Sequence, residues 1–160
     1  NADYTRTNHL PLGVTAEVMS REMMPKLHDM MPDPNQSEYM SFFSFNPKKF
    51  RCEVLYPEEA LDRPFYSLTV DYSGELEIAR SIYNKLAHKS GVPKLSDVVS
   101  LMDTDPCYKE VDREFLIKKP NGETITYECL IEELDRLAVG GLKKEVSESC
   151  GDEEQSAVGR

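Results

Sequence analysis

The chain has 160 residues, of which 39% are apolar and 30% are charged, a composition that excludes a wholly disordered polyelectrolyte. No stretch is apolar enough to span a bilayer. Nineteen basic against 29 acidic residues give a net charge of -10, a field that repels nucleic acid and anionic lipid. We therefore expect a protein that binds neither nucleic acid nor membrane.

The composition of the chain divides it into three parts. We expect residues 1–10 to be a disordered leader, residues 11–142 a single α+β domain, and residues 143–160 a flexible acidic tail. The tail holds too few aliphatic side chains to offset the entropy lost on ordering.

The first predicted element is a helix over about residues 16–31, with Thr15 as its N-cap. Pro25 is expected to kink this helix, or to lie near the start of the second of two short helices. Its apolar stripe consists of Ala16, Met19, Met23, Leu27 and Met30, and Met24 and Met31 lie beside that stripe.

Three aromatic and β-branched runs then predict strands at residues 39–45, 51–56 and 65–71, with one helical turn within residues 57–61. In the third run Phe65, Ser67, Thr69 and Asp71 alternate with apolar residues. This alternation indicates a strand with one apolar and one mostly polar face.

Two helices follow in the sequence. Ser73 and Gly74 open the first, which ends at Gly91, and Ser96 is expected to cap a short second helix that ends before Pro106. Acidic residues in the first turn of the longer helix suit the positive end of the helix dipole.

The clearest local signal is a β-hairpin around Asn121 and Gly122. Because Pro120 has no amide hydrogen, a type I turn followed by Gly122 in the left-handed conformation is expected. The register then places Lys119 opposite Glu123, Ile117 opposite Ile125 and Phe115 opposite Tyr127.

The last helix has the strongest apolar stripe and is ended by Gly140 and Gly141.

The elements together predict an α+β fold, with an antiparallel sheet of about five strands and three or four helices packed on one face. This element order resembles that of the small acidic chaperones of bacterial type III secretion. The resemblance, at the level of fold alone, implies dimerisation.

No motif in the sequence predicts a catalytic residue, a cofactor or a metal site. The acidic group Asp97, Asp103 and Asp105 lacks the spacing of a calcium loop. His9, His28 and His88 are interpreted as solvated residues or as charges that compensate a helix dipole.

Four irregularly spaced cysteines predict reduced thiols in a cytoplasmic compartment, or in a cytoplasm into which the protein is delivered. Cys52 and Cys129 are expected to be small core residues, whereas Cys107 is expected to be exposed.

The sequence favours a non-catalytic interaction module, either an adaptor or a chaperone-like domain. We expect it to bind a protein partner or a second copy of itself. The contact is predicted on a Met-rich helix face or on a sheet edge, because methionine suits adaptable surfaces. The helix residues proposed for this contact are Met19, Met23, Met24, Leu27, Met30 and Met31. The alternatives are a cysteine-dependent enzyme that uses Cys107 or Cys129, and an acidic mimic of nucleic acid.

Overall fold

A computed structural model describes residues 1–33, 40–90, 92–105, 108, 110–140 and 142–146. This part of the chain is α+β. Its strands are β1 (Tyr4–Thr7), β2 (Glu17–Met19), β3 (Cys52–Pro57), β4 (Leu116–Lys118), β5 (Thr124–Thr126) and β6 (Leu142–Val146). Its helices are α1 (Met23–Met30), α2 (Met40–Ser44), α3 (Ser73–Ser90), α4 (Leu95–Thr104) and α5 (Tyr127–Ala138), and a 3-10 turn covers Glu59–Leu61.

The main sheet is mixed and has the strand order β2-β1-β3-β6. β1 is antiparallel to β2 but parallel to β3, and β3 is parallel to β6. A separate two-stranded sheet consists of β4 and β5. The prediction of one antiparallel sheet of about five strands is therefore wrong. Parallel pairing joins segments that are far apart in sequence, and no local pattern records it.

Both ends of the chain differ from the prediction. Residues 1–10, expected to form a disordered leader, contain β1, and Tyr4 of that strand is fully buried. Lys143 to Val146, expected in the flexible tail, belong to β6. Each segment is short and forms a strand because it pairs with β3, not because of its own composition. The rest of the predicted tail lies outside the described residues.

The first predicted helix is a strand followed by a helix. Glu17–Met19 pairs with β1, so Thr15 caps no helix, and α1 begins at Met23. Pro25 is the third residue of α1 and so lies near the start of a short helix, but the expected first short helix is strand β2 instead. Neighbouring β1 decides the conformation of residues 17–19, because a three-residue stretch has too little intrinsic preference to decide it alone.

Two of the three predicted central strands are also wrong. Met40–Ser44 is helix α2, and Phe45 directly after it is buried, with its ring centroid 5.8 Å from that of Tyr4. Residues 65–71 belong to no named strand and make only isolated bridges, Leu12 with Ser67 and Tyr66 with Glu110. With the sheet order different, the resemblance in element order to secretion chaperones does not hold.

The remaining elements are close to their predicted positions. β3, α3, α4, α5 and the turn at residues 59–61 all form, although Lys94 rather than Ser96 is the N-cap of α4. The hairpin has the predicted register, since Ile117 lies opposite Ile125. The N–H of Lys119 donates to the carbonyl of Glu123 at 2.7 Å, and Gly122 has a φ of 84°.

Two clusters contain most of the buried apolar side chains that the structure describes. One lies on the main sheet and contains Tyr4, Met23, Phe45, Phe50, Cys52, Val54 and Ala138. The other lies between α3, α4 and the segments beside them and contains Ile82, Leu86, Met102 and Tyr108. No helix in the described part of the chain is both long and apolar enough to cross a membrane.

Candidate functional site

A cavity of about 470 Å³ opens beside the second core cluster. Four parts of the chain line it: the loop after β1, residues 67–72, one face of α3 with Met102 of α4, and Tyr108 together with residues 110–115. The lining residues are Leu12, Ser67, Leu68, Thr69, Asp71, Tyr72, Glu75, Ile78, Ala79, Ile82, Met102, Tyr108, Glu110, Val111, Asp112 and Phe115. We refer to this space as the α3 cavity.

One wall of the α3 cavity is held by backbone hydrogen bonds to Leu12. The N–H of Leu12 donates to the carbonyl of Tyr66 at 2.8 Å, and the N–H of Leu68 donates to the carbonyl of Leu12 at 2.7 Å. Gly13 follows with a φ of 97°, and a Cβ there would lie 2.8 Å from the backbone of Leu68 and Thr69. Only glycine fits this close approach without strain.

A chain of hydrogen bonds runs along the rim of the cavity. The hydroxyls of Ser67 and Thr69 are 3.0 Å apart, and Thr69 Oγ1 donates to Glu75 Oε1 at 3.1 Å. Glu75 Oε2 accepts the backbone N–H of Asp71 at 2.6 Å and that of Tyr72 at 3.2 Å. The amide of Asp71, followed by hydrogen bonds from Tyr72 and Thr69, holds the pKa of the Glu75 carboxyl below its usual range.

Asp71 differs from the other carboxylates at the rim. Asp112 accepts the N–H of Glu114 at 3.0 Å, and Glu110 lies 3.8 Å from Arg113. Asp71 is exposed, and no hydrogen bond to its carboxylate is found among the described residues. Its backbone is fixed by Glu75, so the carboxylate is presented to solvent from a rigid position.

The cavity combines an apolar floor with aromatic side chains at its entrance. Ile82 and Met102 are buried beneath it, whereas Tyr72 is 77% and Phe115 is 59% exposed. The described lining includes four carboxylates and no lysine or arginine. An apolar pocket with a few convergent polar groups is the usual form of a small-molecule site.

Two members of the acidic group considered as a cation site, Asp103 and Asp105, are engaged in ion pairs. Asp103 accepts Arg63 Nε at 3.1 Å and Arg63 Nη2 at 2.9 Å, as well as the hydroxyl of Tyr66 at 2.5 Å. These contacts, first that of Arg63, lower the pKa of Asp103. Asp105 accepts Lys85 Nζ at 2.6 Å. No group of three metal-binding side chains occurs in the ranges that the structure describes.

The cysteines lie in different surroundings. Cys52 begins β3 and is 3% exposed, and burial raises the pKa of its thiol. Cys129 lies in the first turn of α5, where its N–H donates to the N-cap hydroxyl of Thr126 at 3.2 Å. It is exposed rather than a core residue. Cys107 lies outside the described residues.

The proposed methionine surface is not one helix face. Met23 and Leu27 are each 1% exposed, and Met19 and Met30 pack against the core cluster on the main sheet. The most exposed of the six residues is Met24, at 46%.

The described lining of the α3 cavity contains no residue that was proposed from the sequence as a site residue. The sequence does contain a pattern that could have indicated the rim of this cavity. Ser67, Thr69 and Asp71 form the polar side of an alternating run, and Glu75 follows in the first turn of a helix. Read as a strand, that polar side indicates only a solvated face. The fold instead places it against α3, where it becomes the rim of a cavity.

Comparison with known proteins gives one relevant likeness. The chain is similar to the spore coat polysaccharide biosynthesis protein SpsF of Bacillus subtilis (strain 168), with 24% identity over 107 residues. These residues make up 66% of this chain and 44% of SpsF, so the chain spans less than half the length of that relative. No protein-family model and no solved structure matches the chain.

The likeness to SpsF contradicts the prediction of a non-catalytic interaction module. That prediction depended on the absence of recognisable chemical motifs, whereas the relative is a biosynthetic protein. The prediction is wrong because chemistry-bearing side chains can be assembled from segments that have no motif of their own.

Proposed function

We propose that this chain is all or part of an enzyme of polysaccharide biosynthesis, and that its α3 cavity binds a sugar-containing substrate. The likeness to SpsF supports a role in polysaccharide biosynthesis. The observation that carries the site is the exposed carboxylate of Asp71, held at the rim of the cavity by the bond from its N–H to Glu75.

The cavity has the groups that sugar binding requires. Sugar hydroxyls are good hydrogen-bond donors, and ionised carboxylates such as Asp71 act only as acceptors. The C–H faces of a sugar ring are apolar and suit aromatic side chains such as Tyr72 and Phe115 at the entrance. A cavity of about 470 Å³ is within the usual range for a small ligand.

The charge of the lining favours one kind of sugar. Asp71, Glu75, Glu110 and Asp112 all line the cavity, and none of its described lining residues is a lysine or arginine. A sugar acid would place like charges together, which is unfavourable. We therefore propose that the cavity accepts a neutral or amino-bearing sugar.

Asp71 is the residue that we propose to act on the substrate. It accepts a hydrogen bond from a sugar hydroxyl, and it can serve as a general base if that hydroxyl becomes a nucleophile. Glu75 is not proposed as a base, because both of its oxygens are engaged with the protein.

Ligand-observed NMR with glucosamine, glucose and glucuronate tests the proposal. We expect glucosamine and glucose to bind more strongly than glucuronate. Asp71→Asn should weaken that binding by about tenfold or more, the factor expected for one hydrogen bond to a charged group. Glu77→Gln is the matched control, since Glu77 is an exposed carboxylate of α3 that does not line the cavity.

Two results would contradict the proposal. One is the absence of sugar binding to a folded protein at millimolar concentrations, and the other is equal binding by the Asp71→Asn and Glu77→Gln variants. A preference for glucuronate would overturn the charge argument alone.

Two further points are also proposals. A cytoplasmic location is supported by the free thiols of Cys52 and Cys129. Self-association of the enzyme would use the exposed side of α1 around Met24, and sedimentation velocity of a Met24→Lys variant tests it.

A further inference from the structure

His9 lies between two carboxylates and has an unusual backbone conformation. Its Nδ1 is 3.1 Å from Asp62 Oδ2, and its Nε2 is 2.9 Å from Asp135 Oδ2. Its φ is 63°, in the left-handed region that residues other than glycine rarely occupy. Such conformations persist only where the surroundings enforce them, and they concentrate at functional sites. The sequence interpretation had placed His9 in a disordered leader.

Residues of three elements surround the imidazole. Asp62 follows the 3-10 turn, Asp135 belongs to α5, and Tyr56 of β3 meets the imidazole edge to face with ring centroids 5.1 Å apart. The hydroxyl of Tyr56 donates to Asp135 at 3.1 Å, and the backbone N–H of Arg63 donates to the carbonyl of His9 at 2.9 Å. His9 thereby connects elements that are distant in the sequence.

This geometry suits the charged form of His9. A neutral imidazole has one N–H donor, whereas the imidazolium has two and can donate to Asp62 and Asp135 at the same time. Burial alone would lower the pKa of His9, but hydrogen bonds to Asp135 and Asp62 outweigh burial and raise the pKa above its ordinary value.

The loop that contains His9 also contributes Leu12 to the wall of the α3 cavity. His9 fixes its first part through Asp62 and Asp135, and Leu12, three residues later, fixes its second part against Tyr66 and Leu68. Pro11 between them is buried and locks its own φ. A change in the bonds of His9 therefore acts on a short and stiff connection to the cavity.

We infer that His9 is a positioning residue for the α3 cavity: its imidazolium binds Asp62 and Asp135 and so holds the loop in which Leu12 forms one wall of the cavity. We call this pair of bonds the latch. The effect of this latch on substrate binding rests on the proposed function, but the latch itself does not.

The pH dependence has a definite sign. The folded protein binds the His9 proton more tightly than the unfolded chain does, so the latch is fully present below the ordinary histidine pKa. It is lost as the pH rises through the raised pKa of the folded state. Above that point the neutral ring has one N–H, so the imidazole can donate to Asp62 or to Asp135 but not to both.

Amide hydrogen exchange of the whole chain tests the latch without any ligand. The probes are the N–H groups of Leu12 and Leu68, which bond across the cavity wall. In the wild type we expect their protection factors, corrected for intrinsic exchange, to fall about tenfold from about pH 6 to about pH 9. His9→Gln should show low protection that does not vary with pH.

His28→Gln is the control, because His28 is a side chain with 66% exposure whose bond is to its neighbour Asp29. It should reproduce the wild-type profile. A wild-type profile that does not change with pH, or an unchanged profile in His9→Gln, overturns the inference, and the wild-type measurement decides it even if His9→Gln fails to fold.

Sugar binding measured at the two ends of this pH range separates the two proposals. Binding that weakens together with Leu12 protection supports both. If no sugar binds at either pH but protection still changes, the proposed function fails and the latch stands. If sugar binds but the protection of Leu12 does not change with pH, the proposed function stands and the latch fails.

Discussion

The carboxylate of Glu75 accepts the backbone N–H of Asp71 at 2.6 Å, so a side chain in the first turn of α3 fixes the residue that presents its own carboxylate at the cavity rim. The same oxygen accepts the N–H of Tyr72 at 3.2 Å. These amides precede α3, and a first-turn glutamate that bonds back to them is a capping arrangement. The cap and the candidate site are therefore one structure.

Acid should loosen this cap. The pKa of Glu75 is lowered, chiefly by the amide of Asp71, so its contribution to stability is present above the ordinary glutamate pKa and is lost as the pH falls through the lowered one. We expect the amide signals of Asp71 and Tyr72 in NMR spectra to shift together below about pH 4.5. In Glu75→Gln the shared transition should be absent, and in Glu77→Gln it should remain.

Gly13→Ala should destabilise the protein. Gly13 has a φ of 97°, and a Cβ would lie 2.8 Å from the backbone of Leu68 and of Thr69, which cannot move independently of the cavity wall. We expect the free energy of unfolding to fall by more than about 1 kcal/mol, measured by urea denaturation. Gly74→Ala is the control, because Gly74 is in α3 with nothing within 4 Å of an added Cβ.

The control should change in the opposite direction. Alanine is favoured over glycine within helices by about 0.5–1 kcal/mol, so Gly74→Ala should leave stability unchanged or raise it slightly. Equal losses in both variants would show that the approach of Gly13 to Leu68 does not limit the packing of this wall.

Neighbouring methionines of α1 should behave differently. Met23 is 1% exposed in the core cluster on the main sheet, whereas Met24 is 46% exposed. We expect Met23→Ala to cost about 2–5 kcal/mol of unfolding free energy and Met24→Ala to change it by less than about 0.5 kcal/mol. Thermal or urea denaturation measures both. A large cost for Met24→Ala would mean that its surface is covered in solution, as self-association requires.

Thiol labelling should separate Cys52 from Cys129. Cys52 is 3% exposed with a raised pKa caused by burial, so its reactive thiolate is both scarce and shielded, whereas Cys129 is exposed. In a background in which Cys107 and Cys150 are replaced by serine, a maleimide at neutral pH should modify Cys129 first. Mass spectrometry of the folded protein measures the order, and labelling of Cys52 at a similar rate would contradict the burial of β3.

The elements that could be predicted from the sequence are those decided by neighbours along the chain. The hairpin register follows from Pro120 and Gly122, whose backbone limits leave few turns open. α3 and α5 form where expected because each has a long apolar stripe with suitable residues at its start.

The sheet and the candidate site were decided by the tertiary structure. β1 and β2 are four and three residues long, and parallel pairing with β3 involves residues about fifty positions away, so no local periodicity indicates them. Asp71 and Glu75 are close in sequence and belong to a recognisable polar pattern. The cavity beside them forms only because the loop that contains Leu12, residues 67–72 and α3 pack together. His9 acquires its partners in the same way, since Asp135 lies 126 residues away in the chain. Composition and periodicity determine which segments can be helix or hairpin, whereas long-range pairing determines which polar groups meet.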